Sequence, residues 1–542
     1  MSRRQLGSLS PFRLSVAVCL ALAGCSGPIG SDKESSEATT DTGHSASVET
    51  GPPDSRFDDS HETDETAEPD THDTGSEPLG VAAAKLIGES SHDFAGGGVA
   101  KAGDVDGDGL DDLLVGAYGN DVGGSAYLVT GPVSGRQSLS LANAKIVGTE
   151  EYGYTGATLA GAGDADGDGY ADILIGGVVD GASAVSIAGR LFYGPVSGMI
   201  SLDLVDVRFT DSAYPVGGGY DVTVLGDLNS DGWDDLLIGS PGGRGSGVES
   251  DLGHCSDDDV EEYGSERGES AGRVYVALGP YASEEALSTA DGGLIGEDGG
   301  DAAGMLADHV GDLDGDGEAD IFVGAPGNCE AGLNAGAAYV VAGSVIGEQS
   351  LGDADAKLMP QEDANGYQLS IAGGGDSNGD GYGDLAVAWT WGGDEVTGIV
   401  YLVLGPALGP VTMDEADASL LGEDSGDSAG SSVSWIGDTN LDGFDDLAIG
   451  AAKVDVPSTE SGAAYIAVGP FSGAGDLSDA EVKLQTGVLG DGLGYTLTGV
   501  GDTNGDGLPD LLVGAPGDDE GADLAGAAWL LLGGAGLVSG TL

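Results

Sequence analysis

The sequence predicts an all-β fold, a seven-bladed β-propeller of four-stranded blades whose ring is closed by an outer strand taken from the N-terminal side. Three observations predict it. An acidic nine-residue loop of the form D-x-[DN]-x-D-G-x-x-D occurs seven times, and its first aspartates stand 60, 63, 85, 64, 62 and 64 residues apart. Repeats of this kind signal a solenoid, a propeller or an array. Each loop is followed by an apolar run of three to five residues bounded by Asp and Gly, which suits a buried strand better than a helix. The repeats tile residues 84–534 without a break.

Each element of the repeat has its own signature. Gly precedes the first aspartate in all seven copies, at 103, 163, 226, 311, 375, 437 and 501. Another Gly stands eight residues before it in six copies (Gly96, Gly156, Gly219, Gly304, Gly430 and Gly494), with Gln368 in the fifth. After the loop come the apolar runs 113–115, 173–175, 236–238, 321–323, 385–387, 447–449 and 511–513. A third segment carries a recurring aromatic: Tyr127, Phe192, Tyr275, Tyr339, Tyr401, Tyr465 and Trp529. Aromatics at a repeat period pack between blades or, as the alternative, form a stacked ligand box. A fourth segment precedes each next repeat, at 84–88, 144–148, 204–209, 293–296, 356–359, 418–422 and 482–485. The first of these stands before the first loop and none follows the last blade, which ends near Gly534. The copy at 84–88 is therefore expected to supply the missing outer strand of the last blade and to remove its open edge.

The loops have the chemistry of a calcium site. Calcium takes six to eight oxygens in relaxed geometry, whereas magnesium suits so many protein oxygens poorly. Positions 1, 3, 5 and 9 offer side-chain oxygens and position 7 a backbone carbonyl. The expected ligands are Asp104, Asp106, Asp108 and Asp112; Asp164, Asp166, Asp168 and Asp172; Asp227, Asn229, Asp231 and Asp235; and Asp312, Asp314, Asp316 and Asp320. They continue with Asp376, Asn378, Asp380 and Asp384; Asp438, Asn440, Asp442 and Asp446; and Asp502, Asn504, Asp506 and Asp510. Gly at position 6 permits the sharp turn in every copy. An EF-hand would need a Glu at position 12; Val or Ile stands there in all seven, so these loops are turns between strands. Up to seven Ca²⁺ are expected, at about 0.1–1 mM affinity, pinning hairpins whose carboxylates otherwise repel. The alternative is a metal-free acidic turn.

The front of the chain reads differently. Residues 1–13 hold three arginines and no acid, and residues 14–24 form an apolar stretch too short to span a bilayer. Leu22-Ala23-Gly24-Cys25 resembles the lipobox of bacterial lipoproteins. The resemblance implies a signal peptide over 1–24, lipidation of Cys25, and a place in the bacterial cell envelope, with the outer membrane or cell surface favoured. The lipid would then be the only membrane contact. Residues 25–78 are an expected disordered tether: from 26 to 78 there are 15 acids, two bases and three large apolar residues, too few to offset chain entropy. The formal charge of −76 becomes −79 without the signal's three arginines, against 93 acidic residues in the chain. Such a surface repels nucleic acid and attracts cations or basic partners.

The repeat, Gly-(x)₇ followed by the acidic loop, three apolar residues and Gly-Ala-Pro, resembles the FG-GAP repeats of the integrin α-subunit propeller. Gly-Ala-Pro is intact at 324–326 and 514–516 and drifts elsewhere. The resemblance covers about residues 79–534, within a propeller domain expected over 79–542, and implies a monomeric head module that binds a protein or glycan ligand. Its ligand face lies opposite the calcium loops. The extra length between the third and fourth repeats falls on that face, in an acidic insertion at 242–271. Cys255 lies in it and Cys329 in the corresponding loop of the next blade, a disulfide candidate in an exported chain; two free thiols are the alternative. No nucleophile elbow, H-E-x-x-H or phosphate loop is visible, so the chain is not expected to be an enzyme. The expected function is a calcium-binding surface lipoprotein for adhesion or ligand binding. The alternatives are a glycan-cleaving hydrolase of the envelope, or a structural scaffold, on the same propeller.

Overall fold

The structure is a computed structural model, and it describes residues 81–120, 122–149, 153–177, 186–211, 219–242, 271–332, 335–343, 345–360, 369–390, 397–406, 409–453, 461–534, 537 and 540–542. The signal segment, Cys25, the tether, Cys255, most of the 242–271 insertion and Gln368 lie outside these residues.

Seven separate sheets account for the strands, one for each acidic loop. Blade 4 shows the plan. Its innermost strand is Leu306–Gly311, followed by Asp320–Ala325, Ala337–Val341 and Ala356–Met359, each antiparallel to the one before. The acidic loop joins the first strand to the second. Second strands are buried at every residue because each lies mid-blade between two neighbouring blades. That burial explains apolar runs without a polar alternation. The innermost strands adjoin one another from blade to blade, with blade 7 meeting blade 1.

The blades differ from expectation in one respect: each has five strands rather than four. The fifth comes from the connection between the third and fourth strands of the following blade. Gly409–Thr412, for example, leaves blade 5 and pairs in parallel with Ala356–Met359 of blade 4. This covers an outer edge that would otherwise present unpaired backbone groups.

The seam closes as the spare N-terminal segment implied. Ala84–Ile87 pairs antiparallel with Ala527–Leu531, Leu86 facing Ala528, and becomes the fourth strand of blade 7. The chain end continues past Gly534, however, and Gly540–Thr541 adds the fifth strand of blade 6.

The core is divided into seven clusters, each shared by two adjacent blades. Tyr127 of blade 1 packs with Leu86, Leu512 and Leu530 of blade 7. Tyr339 of blade 4 packs with Val274 and Val276 of blade 3, and Tyr465 of blade 6 with Val400 and Leu402 of blade 5. The recurring aromatics are thus interblade packing residues, each contributing roughly 1.5–3 kcal/mol by burial. The glycine eight residues before six of the loops stands at the same interface. Gly304 has φ +80°, and a Cβ there would lie 2.3 Å from the Arg273 carbonyl oxygen of the preceding blade.

Candidate functional site

Each acidic loop is folded by its own carboxylates. In blade 1, Asp104 Oδ1 accepts from the backbone N–H of Gly107 (2.7 Å) and Asp108 (3.0 Å), and Oδ2 from Gly109 (2.9 Å). Asp108 Oδ1 accepts from Leu110 N–H. Position 6 turns through φ +91° at Gly109 and between +85° and +96° in the other six loops, the left-handed region that favours glycine.

Position 9 is a buried anchor. Asp112 is fully buried, with Oδ2 accepting from Val105 N–H (3.0 Å) and Oδ1 from Gly131 N–H (2.9 Å). Asp172, Asp235, Asp320, Asp384, Asp446 and Asp510 repeat the arrangement and are equally buried. The carboxylate thereby ties its loop to the end of the third strand. Burial pushes Asp112 and Asp235 up to about 6 and Asp172 up to about 7, while the donated N–H bonds pull the other way.

The donor set fits a divalent cation. Asp104, Asp106 and Asp108 bring carboxylate oxygens within 4.8 Å of one another, as do Asp164, Asp166 and Asp172, and Asp312, Asp314 and Asp316. In blade 2 the third member is therefore Asp172 rather than Asp168. Like charges this close cost about 1–4 kcal/mol per pair at the effective dielectric of a protein surface, which a cation of double charge would relieve. Among the described residues no Lys or Arg forms an ion pair with an acid at position 1, 3 or 5. The other four loops carry Asn229, Asn378, Asn440 and Asn504 at position 3. Asn378 Oδ1 accepts from Asp380 N–H at 2.8 Å, as Asp106 Oδ1 does from Asp108 N–H at 3.2 Å.

The basic residues lie elsewhere. Lys85, Lys145, Lys357 and Lys483, on fourth strands, stack their ammonium groups over Trp529, Tyr127, Tyr339 and Tyr465, the third-strand aromatics they face across the sheet. Each also pairs with an acid: Lys357 with Glu297 at 2.6 Å, Lys145 with Glu89 at 2.9 Å, Lys85 with Asp518 at 2.6 Å, and Lys483 with Glu423. Sequence reasoning missed these clusters. Their signal was the Lys standing second in four of the seven fourth segments.

The acids along the innermost strands hold strands together. Asp221 Oδ2 accepts from Ala307 N–H (2.9 Å), and Asp308 Oδ2 from Gly373 N–H (3.1 Å), each bridging to the next blade. Burial pushes Asp221 up to about 7, with the Asp308 charge adding to it. His309 is raised by its hydrogen bond to Asp308.

The FG-GAP repeat family matches residues 218–253, 307–341 and 493–531. Integrin alpha-IIb of Mus musculus is 34% identical over 169 residues, covering 29% of this chain and 16% of that protein. Integrin alpha pat-2 of Caenorhabditis briggsae is 31% identical over 251 residues, covering 45% and 18%. Phosphatidylinositol-glycan-specific phospholipase D of Homo sapiens is 37% identical over 150 residues, covering 26% and 18%. The chain thus spans less than a fifth of the length of these relatives. With the seven sheets, the acidic loops and the closing strand in place, the chain is an integrin-α-like β-propeller that matches the FG-GAP repeat in three stretches.

Proposed function

We propose that this chain is a calcium-stabilised ligand-binding module, held on a bacterial cell surface by lipid on Cys25 and a tether over 25–78. The observation that carries the calcium part is the gathering of three carboxylates within 4.8 Å in the loops of blades 1, 2 and 4. Asp at positions 1, 5 and 9, with Asp or Asn at position 3, would supply the side-chain ligands in all seven loops. Bound calcium would neutralise the cluster and hold the first two strands of each blade in register. The metal loops join first to second strands. The connections from second to third strands, and from fourth strands to the next blade, emerge at the other end of each blade. That end is the proposed ligand face. Its exposed acids include Asp298, Asp424 and Asp519, and a protein or glycan bearing cationic groups suits it.

Cys329 lies on the same face and is a disulfide candidate in an exported chain. We assign Cys255, in the corresponding insertion of blade 3, as its partner. Non-reducing peptide mapping should recover the Cys255–Cys329 peptide; recovery of Cys255 as a free thiol rejects the pairing.

The test of function is cross-linking and pull-down from intact cells, with and without a calcium chelator. The expected result is a partner captured in calcium and lost in chelator, together with fatty-acid labelling that Cys25→Ser abolishes. Capture indifferent to both treatments contradicts the proposal. A hydrolytic reading draws on the phospholipase D match alone; release of products from envelope glycans by the purified chain would favour it.

A further inference from the structure

The lysine clusters follow one plan in three blades and another at the seam. Lys145, Lys357 and Lys483 each pair with a glutamate that follows the fourth strand of the blade before: Glu89, Glu297 and Glu423. Gly487 stands at that place before blade 7. Lys85, in the closing strand Ala84–Ile87, pairs instead with Asp518 at 2.6 Å and Glu520 at 2.7 Å. Asp518, on the connection between the second and third strands of blade 7, makes up for the missing glutamate.

The exchange deprives a neighbouring carboxylate of its hydrogen bonds. Ahead of blades 1 and 4, Asp93 and Asp301 are buried, and each carboxylate accepts from two kinds of donor. One is the N–H three residues earlier, of Ser90 at 2.7 Å and of Asp298 at 2.9 Å. The other is the side-chain amide of Asn120 or Asn328. Asp491 holds the same place ahead of blade 7: its carbonyl accepts from Gly517 N–H, as those of Asp93 and Asp301 do from Gly119 and Gly327. Asp491 is 1% exposed. The residue three before it, Val488, donates its N–H to Thr486 Oγ1. The amide is replaced by the Asp518 carboxylate, whose Oδ1 accepts from Glu520 N–H at 2.9 Å. Thr486 gives Asp491 a side-chain hydrogen bond, yet Asp491 Oδ1 has no partner among the described residues.

The charged groups facing Asp491 come from two elements. Asp518 and Asp519 lie on the connection, and Lys85 on the closing strand. Glu520 pairs with Lys85 and with Arg136 of the fifth strand Gly135–Ser138. Burial raises Asp491 to about 7; Asp518 and Asp519 add to the rise, and Thr486 and Lys85 oppose it. A buried carboxylate short of donors is costly when ionised.

We propose that the ring closure is a proton-held latch: Asp491 carrying its proton leaves Lys85 on Asp518 and Glu520, and loss of that proton loosens the closing strand. Ionised, Asp491 sets a second carboxylate against Asp518 and competes for Lys85. The folded chain holds a proton that the unfolded chain releases near pH 4. The contribution to stability is therefore complete at low pH and lost as pH rises through about 7. The latch depends on neither calcium nor the lipid anchor. Both connections involved belong to the end of the blades proposed above for ligand binding.

Hydrogen–deuterium exchange of the full chain in calcium chloride, corrected for the intrinsic pH dependence of amide exchange, reads the opening of Ala84–Ile87. Opening should increase about tenfold between pH 6 and 8, the effect of one proton released near 7 in place of 4. Asp491→Asn keeps the size of the side chain and removes its titration. Opening should then change less than about twofold over the same range. Asp518→Asn restores the amide of blades 1 and 4. It should also flatten the pH dependence, while loosening the strand at every pH because Lys85 loses a partner. No pH dependence in the unsubstituted chain overturns the latch. A tenfold change that survives either Asp491→Asn or Asp518→Asn overturns it as well.

Discussion

Blades 1, 2 and 4 and blades 3, 5, 6 and 7 carry the same acidic positions in their loops with one changed, Asp or Asn at position 3. The backbone pattern does not register the change. Asp108 N–H donates to Asp104 Oδ1 at 3.0 Å in the first class, and Asp380 N–H to Asp376 Oδ1 at 3.0 Å in the second. Position 9 is fully buried in both. The fold of the loop is thus the work of positions 1, 6 and 9, which are invariant among the seven copies. Position 3 is left to set how much negative charge the loop would present to a metal. Calcium affinity depends on that charge count and on loop rigidity. The comparison predicts one fold and two grades of affinity.

The largest effect should come from the shared anchor. Asp320→Ala in the first class strands the N–H groups of Leu313 and Gly343, and Asp510→Ala in the second those of Thr503 and Gly533. Two unpartnered buried donors cost about 2–5 kcal/mol. Urea denaturation should show similar losses for both, in calcium and in chelator. A loss confined to one class would break the claim of a common fold.

A smaller effect concerns pH, away from the loops. Asp221 is held up to about 7 by burial, above its value in the unfolded chain. The folded protein therefore keeps a proton that the unfolded chain releases, and this contribution to stability is complete at low pH and lost as pH rises from about 4 to 7. Asp221→Asn should flatten stability over that range relative to the unsubstituted chain. An unchanged slope contradicts the assignment.

Exchange at position 3 should move affinity by about 1 kcal/mol, roughly fivefold. Asp314→Asn should raise the calcium midpoint of loop 4. Asn504→Asp should lower that of loop 7, where the Asn504 Nδ2 has no hydrogen-bond partner to lose. Loop-resolved exchange during calcium titration reads both, and movement in the same direction would collapse the two classes into one. The smallest effect belongs to the other end of the blades. Lys357→Met removes the stack on Tyr339 and the pairs with Glu297 and Glu330, costing about 1 kcal/mol with no change in calcium midpoint.

The same comparison explains what could be read from the sequence. The acidic loop is legible because its carboxylate-to-backbone bonds and its left-handed turn demand particular residues at particular spacings. Seven such loops, with a spare strand at 84–88, were enough to give the ring and its closure. The fifth strand was not legible. Gly135–Ser138 reads Gly-Arg-Gln-Ser and Gly347–Ser350 reads Gly-Glu-Gln-Ser, with no apolar alternation. These segments are strands because an exposed edge of another blade accepts them. The lysine stacks were hidden for a related reason. Lys357 and Tyr339 become neighbours only once the register between third and fourth strands is known. Contacts between loops, such as Trp233 on Asp166, span two blades and follow from ring geometry alone.

The central claim is that calcium in these loops stabilises the ring. Thermal melting of the purified chain in millimolar calcium, and again after chelation, tests it most directly. Each filled loop adds about 2.7 kcal/mol at a hundredfold excess over its dissociation constant. The melting temperature is therefore expected to fall by about 10 °C on chelation and to return when calcium is restored. Superimposable melting curves with and without chelator would contradict the account.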